Sequence, residues 1–181
     1  MDSEIGMLLR FLNKHRRGVL ETVAGLSDES LRRPVLPSGW TCLGMFQHLT
    51  VNERYWLRWA VGGEQLPGTT IVDDRCQVIL DGMADVDDDW LVAPELTAAT
   101  VLDRYRDETA SADRILVDVA LDDPPRNVDP QWNLWYGSGG PDTARWIILH
   151  MIEETAQHAG HLDVVRELLD HRPSAADQQS G

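Results

Sequence analysis

The chain has 181 residues, 43% hydrophobic and 25% charged, which is enough for one domain with its own core. Sixteen Lys and Arg against thirty Asp and Glu give a net charge of −14. That balance excludes the basic stripe required by nucleic acid and gives no support for docking on anionic lipid.

Cys42 and Cys76 are well separated, as free thiols in a reducing compartment would be. The start, MDSEIGMLLR, lacks a basic segment followed by an apolar one, and no apolar run is long enough to span a membrane. The expected location is cytoplasmic. Asp2 or Ser3 caps a first helix to about Ala24, with Ile5, Leu8, Leu12, Val19 and Val23 inward and Gly25 ending it. Lys14-His15-Arg16-Arg17 reads as a solvated face of that helix. One helical turn at Ser27–Leu31 precedes a break at Pro34, Pro37, Ser38 and Gly39. A second helix runs from about Thr41 to Val61, where Gly62-Gly63 stops it. Leu49 and Trp56 share one of its sides; His48, Asn52, Tyr55 and Trp59 share another, which is unusually polar for a core face.

Glu64 to Leu96 reads as a long connection with one short helix at Asp74–Met83. Thr97 caps a third helix to about Ala120, with Leu102, Tyr105, Ala112, Leu116 and Val119 inward. A second long connection carries Trp132, Trp135 and Tyr136 ahead of Gly137-Ser138-Gly139-Gly140, a pattern suited to plugging the bundle end or to a lid. Asp142 or Thr143 caps the fourth helix, which His171-Arg172-Pro173 ends. Residues 1–171 are expected to form one domain and 172–181 a disordered tail. With no convincing strand pattern, the fold class is all-α, a four-helix bundle with long connections between helices 2 and 3 and helices 3 and 4. Those connections permit an order other than up-down-up-down.

The fourth helix carries the chemistry. Glu154, His158 and His161 fall on one face, with His150 a turn earlier. Burying carboxylate and imidazole unpaired costs several kcal/mol, so something must satisfy them, and both are good ligands for a divalent metal such as zinc. A catalytic zinc site takes three protein ligands, and His48 on the second helix is the best third candidate. His15 lies on the solvated face, and His171 sits at a helix end where a cation is favoured. The competing interpretation is a hydrogen-bonded core histidine, which for a lone mid-helix histidine is commoner than a metal ligand. His161 is assigned as an outer hydrogen-bond donor or proton relay rather than a fourth ligand. Asn52 and Tyr55 are placed to orient a ligand or touch substrate. Trp40 and Trp135 are candidates to line a common opening, and Cys42 is read as a buried thiol.

GWTCLGMFQHLTVNERYW, followed much later by WIILHMIEETAQHAGHLDVVRELLD, resembles the DinB-like superfamily of four-helix metalloproteins. The similarity is greatest to its mycothiol-dependent maleylpyruvate isomerase and thiol S-transferase branch. The resemblance implies metal ligands at His48 and at His158, which precedes Ala159-Gly160. The position four residues before His158 holds Glu154 where many relatives have His, as the isomerase branch does. His161 stands where many relatives have Gln. The isomerase carries a further C-terminal domain for which 181 residues leave no room. The resemblance therefore implies thiol transfer by the bundle alone.

The function expected is a metal-dependent transferase activating a low-molecular-weight thiol, mycothiol or bacillithiol, for conjugation to an electrophile. Asn52 and His161 are its catalytic candidates; Tyr55, Trp40 and Trp135 are its substrate-binding candidates. Arg54 and Arg145 are candidates for recognising acidic groups on the thiol. The alternatives are a non-catalytic metal- or ligand-binding stress protein of the same fold, or a metal-dependent hydrolase. A homodimer is compatible with a bundle of this size.

Overall fold

The computed structural model describes residues 3–65, 69–72, 75–78 and 90–171, with only the backbone described at 69–72 and 75–78. Helix α1 (Glu4–Val23) is capped by Ser3, whose hydroxyl accepts from Gly6 N, and Gly25 follows it at φ +79°. The short α2 (Asp28–Arg32) is capped by Ser27. Helix α3 (Cys42–Asn52), capped by Thr41, continues into a π-helical segment, Glu53–Val61. Helix α4 spans Ala98–Leu116, α5 Trp132–Tyr136, and α6 Ala144–Asp170, the last capped by Thr143. Among the described residues, no helix is long and apolar enough to cross a membrane.

Pairings along the helices fix their directions. Glu4 and Arg145 meet at the starts of α1 and α6, and Thr22 meets Asp163 near their ends, so these two helices run parallel. Phe46 packs on Tyr105, and Gly62 lies against Ile115, so α3 with its π extension runs parallel to α4. His48 faces Glu154 and Trp56 faces Trp146, which sets α3 antiparallel to α6. The order is up, down, down, up, a topology that needs the long connections.

One expectation is corrected. Arg75–Val78 is a strand, paired antiparallel with Thr69–Val72 in the register Thr69↔Val78 to Val72↔Arg75, not part of a helix over Asp74–Met83. The β-branched run Thr-Thr-Ile-Val favours extended backbone. Residues 79–83 of that segment, and the tail 172–181, lie outside the described residues.

The core is two apolar clusters. One joins Leu8 and Leu12 to the π segment, Trp132 and the first turns of α6; the other joins Val19 and Val23 to α3, Tyr105 and Leu162–Leu169. A belt of polar residues crosses the bundle between them: Arg16 of α1, Asn52 and Glu53 at the α–π junction, Glu108 of α4, and Glu154 and His158 of α6. Arg16 was expected on a solvated face. It is instead 4% exposed, and its guanidinium donates to both carboxylate oxygens of Glu53, at 2.8 and 2.5 Å, and to Asp113. Glu53 is 1% exposed, and a buried carboxylate this dry needs such a partner. Glu108 is clamped between Arg54 and Arg58.

Replacing Arg16 with Met strands the Glu53 carboxylate. The variant is expected to lose about 3–5 kcal/mol in urea unfolding, and Arg16→Met with Glu53→Met together to recover most of it. Equal stability of the wild type and the single variant would contradict the pairing.

Candidate metal centre

Four side chains from two antiparallel helices meet at one carboxylate oxygen. Nε2 of His158 lies 2.9 Å and Nε2 of His48 3.1 Å from Glu154 Oε1. Asn52 Nδ2 lies 2.9 Å from His48 Nε2 and 3.4 Å from the same oxygen. The i, i+4 spacing stacks Glu154 over His158 and His48 over Asn52, and the antiparallel packing of α3 on α6 brings the two pairs together. His48, Glu154 and His158 each offer a ligand atom, all within 4.8 Å of one another. Hydrogen bonds from His158, then His48, hold the Glu154 carboxyl far below the usual carboxylate range.

With the Asn52 amide nitrogen facing His48, a proton on Nε2 suits only one of that atom's two neighbours. If His48 Nε2 is unprotonated, it accepts from the Asn52 amide but faces Glu154 lone pair to lone pair. If it is protonated, it donates to Glu154 but meets the Asn52 N–H donor to donor. The three ligand atoms also suit a divalent cation: two imidazole nitrogens with one carboxylate oxygen are a set for zinc and its neighbours. Nδ1 of His158 is buried with no hydrogen-bond partner, so the polar interactions of that ring run through Nε2.

Trp90, which the sequence reading did not single out, stacks on His48 at 4.2 Å between centroids and packs edge-on against His158 at 5.6 Å. It lies in a connection whose residue pattern carries no periodicity. A signal existed in Gly44, where a Cβ would sit 2.3 Å from the Trp90 carbonyl oxygen; Gln47 also donates to Leu91 O. Both tie the connection to α3.

The remaining candidates separate. Tyr55 lines a cleft of about 300 Å³ together with Asn52, Trp56, Trp135, Tyr136, His150 and Glu154. Its hydroxyl points elsewhere, donating to the buried Asp129 and accepting from Trp132 Nε1. Trp135, 51% exposed, stands at the edge of that cleft. Trp40 does not share the opening: it lines a different cavity, about 500 Å³, with Arg32 and Trp90. His161 is exposed, its ring 5.6 Å from that of His158 and 6.4 Å from Trp40, and it is outside the group of three. His150 turns into an aromatic box of Trp56, Trp146 and Tyr136, where burial lowers its pKa. Burial, then the charge of Glu154, raises that of Tyr136. His171 ends α6 against Glu167 O. Cys42 is a free, buried thiol, pushed up to about 11 by burial and therefore inert. The arginines suggested for substrate are engaged within the protein: Arg145 with Glu4 and Asp122, Arg54 with Glu108.

Two outcomes follow from this geometry. Gly44→Ala forces the Trp90 segment off α3; a loss of about 1–3 kcal/mol and a changed near-ultraviolet circular dichroism spectrum are expected, with helix content kept. His150 is expected to titrate below 6.5 by NMR. The folded state then binds fewer protons than the unfolded chain, and stability falls as pH drops below about 6.5. A titration at or above that value would contradict the buried box.

Comparison with known proteins agrees with this architecture. No curated protein matches the chain significantly. A solved structure described as the conserved protein of a locus from Enterococcus faecalis superposes with a TM-score of 0.63 at 14% identity, covering 95% of this chain and 100% of that one. At that identity the match speaks for the fold. The family model for mycothiol-S-transferase matches residues 7–171, and the chain therefore belongs to the mycothiol-S-transferase family, in keeping with its DinB-like resemblance.

Proposed function

We propose that this protein is a divalent-metal-dependent transferase that joins a low-molecular-weight thiol, mycothiol, to an electrophile. The observation that carries the reading is the convergence of His48, Glu154 and His158, each offering a ligand atom, within 4.8 Å of one another. These three hold the metal. When bound, it supplies the positive charge that keeps a thiol of ordinary pKa, about 8.5, as thiolate at neutral pH.

The protein's own groups do the rest. Asn52, whose amide nitrogen lies 3.4 Å from Glu154 Oε1, donates to that carboxylate and orients it, and Trp90 covers the face of His48 and keeps bulk water from it. Glu154 makes the ligand set less positive than three imidazoles, so a bound sulfur keeps more of its nucleophilicity. His161, exposed beside His158, carries the thiol proton to solvent. A two-substrate reaction needs room for two molecules, and two cavities lie near the cluster, one lined by Glu154 and the other by Trp90 but by none of the three ligands. Trp90 over His48 walls the larger with Trp40, and Glu154 lines the smaller with Tyr55 and Trp135.

The test is direct. Purified protein is assayed for bound metal, then for conjugation of mycothiol to monochlorobimane. About one metal per chain and metal-dependent conjugation are expected. His158→Ala should reduce both by at least about 100-fold, and Asn52→Ala should weaken metal retention by about 10–100-fold. Tight metal with no thiol dependence would overturn the transferase reading in favour of a hydrolase or a binding protein.

A further inference from the structure

The larger cavity, about 500 Å³, combines two indoles with polar residues. The rings of Trp40 and Trp90 stand 6.2 Å apart at 53°, so they form an open V in its wall. Ser38, Thr41 and Arg32 line it as well. Two of these are fixed from behind. Thr41 Oγ1 accepts from Gly44 N and caps α3. Arg32 donates through Nε to Asp28 and through Nη2 to Leu96 O, which takes two of the five N–H groups that a guanidinium offers. The Trp90 segment is held against the same turn of α3 by the close approach of its carbonyl to Gly44. Aromatic faces flanked by hydroxyl and guanidinium donors suit an uncharged polyol: the rings cover its C–H faces, and the donors meet its hydroxyls. The cavity stands beside the metal ligands without including them. Trp90 stacks on His48 at 4.2 Å, and Trp40 lies 6.4 Å from His161, itself 5.6 Å from His158. A seat there fits the part of a thiol that carries no sulfur.

We propose that this cavity seats the glycoside of the low-molecular-weight thiol, an uncharged sugar joined to a cyclitol, with Trp40 as its stacking platform. Mycothiol carries its sulfur on a cysteinyl arm attached to that glycoside. The arm then runs past Trp90 toward the ligands while the sugar and cyclitol stay in the cavity. At about 500 Å³ against about 300 Å³, the larger of the two cavities goes to the larger, polyhydroxylated partner, and the aromatic cleft is left for the electrophile. The role as thiol seat rests on the transferase reading; the affinity for an uncharged glycoside rests on the cavity alone. Trp40 is then a specificity-determining residue, because a thiol without the sugar, such as N-acetylcysteine, gains nothing from it.

The experiment has a binding arm and a rate arm, both on the full chain with its metal. The binding probe is N-acetylglucosaminyl-inositol, which keeps the glycoside and the amide of mycothiol and has no sulfur for a metal to hold. Calorimetry is expected to show it binding and competing with mycothiol. Trp40→Ala should weaken it by at least about 10-fold, and Trp40→Phe should restore part of the loss. Ser38→Trp, at an exposed position, crowds the cavity and gives the same reading should Trp40→Ala lose its helical circular dichroism. In turnover with monochlorobimane, Trp40→Ala should raise KM for mycothiol by at least about 10-fold while kcat shifts by less than about 3-fold. The preference for mycothiol over N-acetylcysteine in kcat/KM should fall with it. Failure of the wild type to bind the probe overturns the proposal. So does binding that Trp40→Ala leaves unaltered, or that Trp135→Ala in the other cleft removes. Conjugation of mycothiol without probe binding overturns the seat and leaves the transferase reading standing. Probe binding through Trp40 without any conjugation overturns the transferase reading while supporting the glycoside site.

Discussion

The bundle's central constraint is the polar belt between its two apolar clusters. A belt of this kind is destabilising unless every group in it finds a partner, because an uncompensated buried charge costs several kcal/mol. Most of it is closed by guanidinium groups. Arg16 grips Glu53, and Arg54 and Arg58 grip Glu108. These pairs also tie α1 to the π segment and the π segment to α4, so the same interactions that satisfy the charges set the helix positions. With those helices fixed, α3 presents His48 and Asn52 to α6 at the height of Glu154 and His158. The donor cluster is thus held by a frame whose own electrostatics are already satisfied.

The change from α to π winding at Glu53 matters for what surrounds the cluster. Up to Asn52 the second helix keeps the i, i+4 pairing that puts Asn52 beside His48. Beyond it the backbone bonds reach one residue further back, as in Gly62 N to Leu57 O, and each residue turns through a smaller angle. Tyr55, Trp56 and Trp59 therefore leave the stripe they would hold in an uninterrupted α-helix and become buried together. Tyr55 can then send its hydroxyl to Asp129 and Trp132 while its ring still lines the cleft. That hydrogen-bonded pair fastens the short aromatic helix α5 over the end of the bundle. Of the plug and the lid that the Trp132–Tyr136 pattern suited, Trp132 is a packed plug, while Asn133, Leu134 and Trp135 are open to solvent.

Periodicity in the sequence was enough for the four long helices and for the stripes that carry His48 and Glu154 with His158, and residue type for the cap at Thr97 and, as one of two choices, at Ser3 and Thr143. Each of these depends on local spacing. What escaped depends on long-range partners or on irregular backbone. Arg16 sits among basic neighbours and looks solvated until Glu53, 37 positions later, proves to be buried opposite it. Trp90 belongs to a connection with no repeat to read, and only the clash a side chain at Gly44 would cause reveals why that backbone lies so close. Trp40 and Trp135 looked equivalent as aromatic residues flanking helices, yet they line different cavities, because helix order rather than sequence decides which end each one faces.

Charge accounting across the belt sets one position apart from the others. Glu53 and Glu108 each have guanidinium partners that stay charged at any physiological pH. Glu154 has none among the described residues; its neighbours are two imidazoles and an amide. A protonated imidazole could neutralise it, but the second ring and the Asn52 donor would then compete for the same few ångströms. A lysine or arginine at His48 or His158 would settle the charge and close the site permanently. The sequence instead keeps imidazole nitrogens around a carboxylate that both rings hold in its ionised form. Such an arrangement puts two imidazoles and one carboxylate together at the point where the cleft meets the belt, a donor set of the kind that binds a divalent cation.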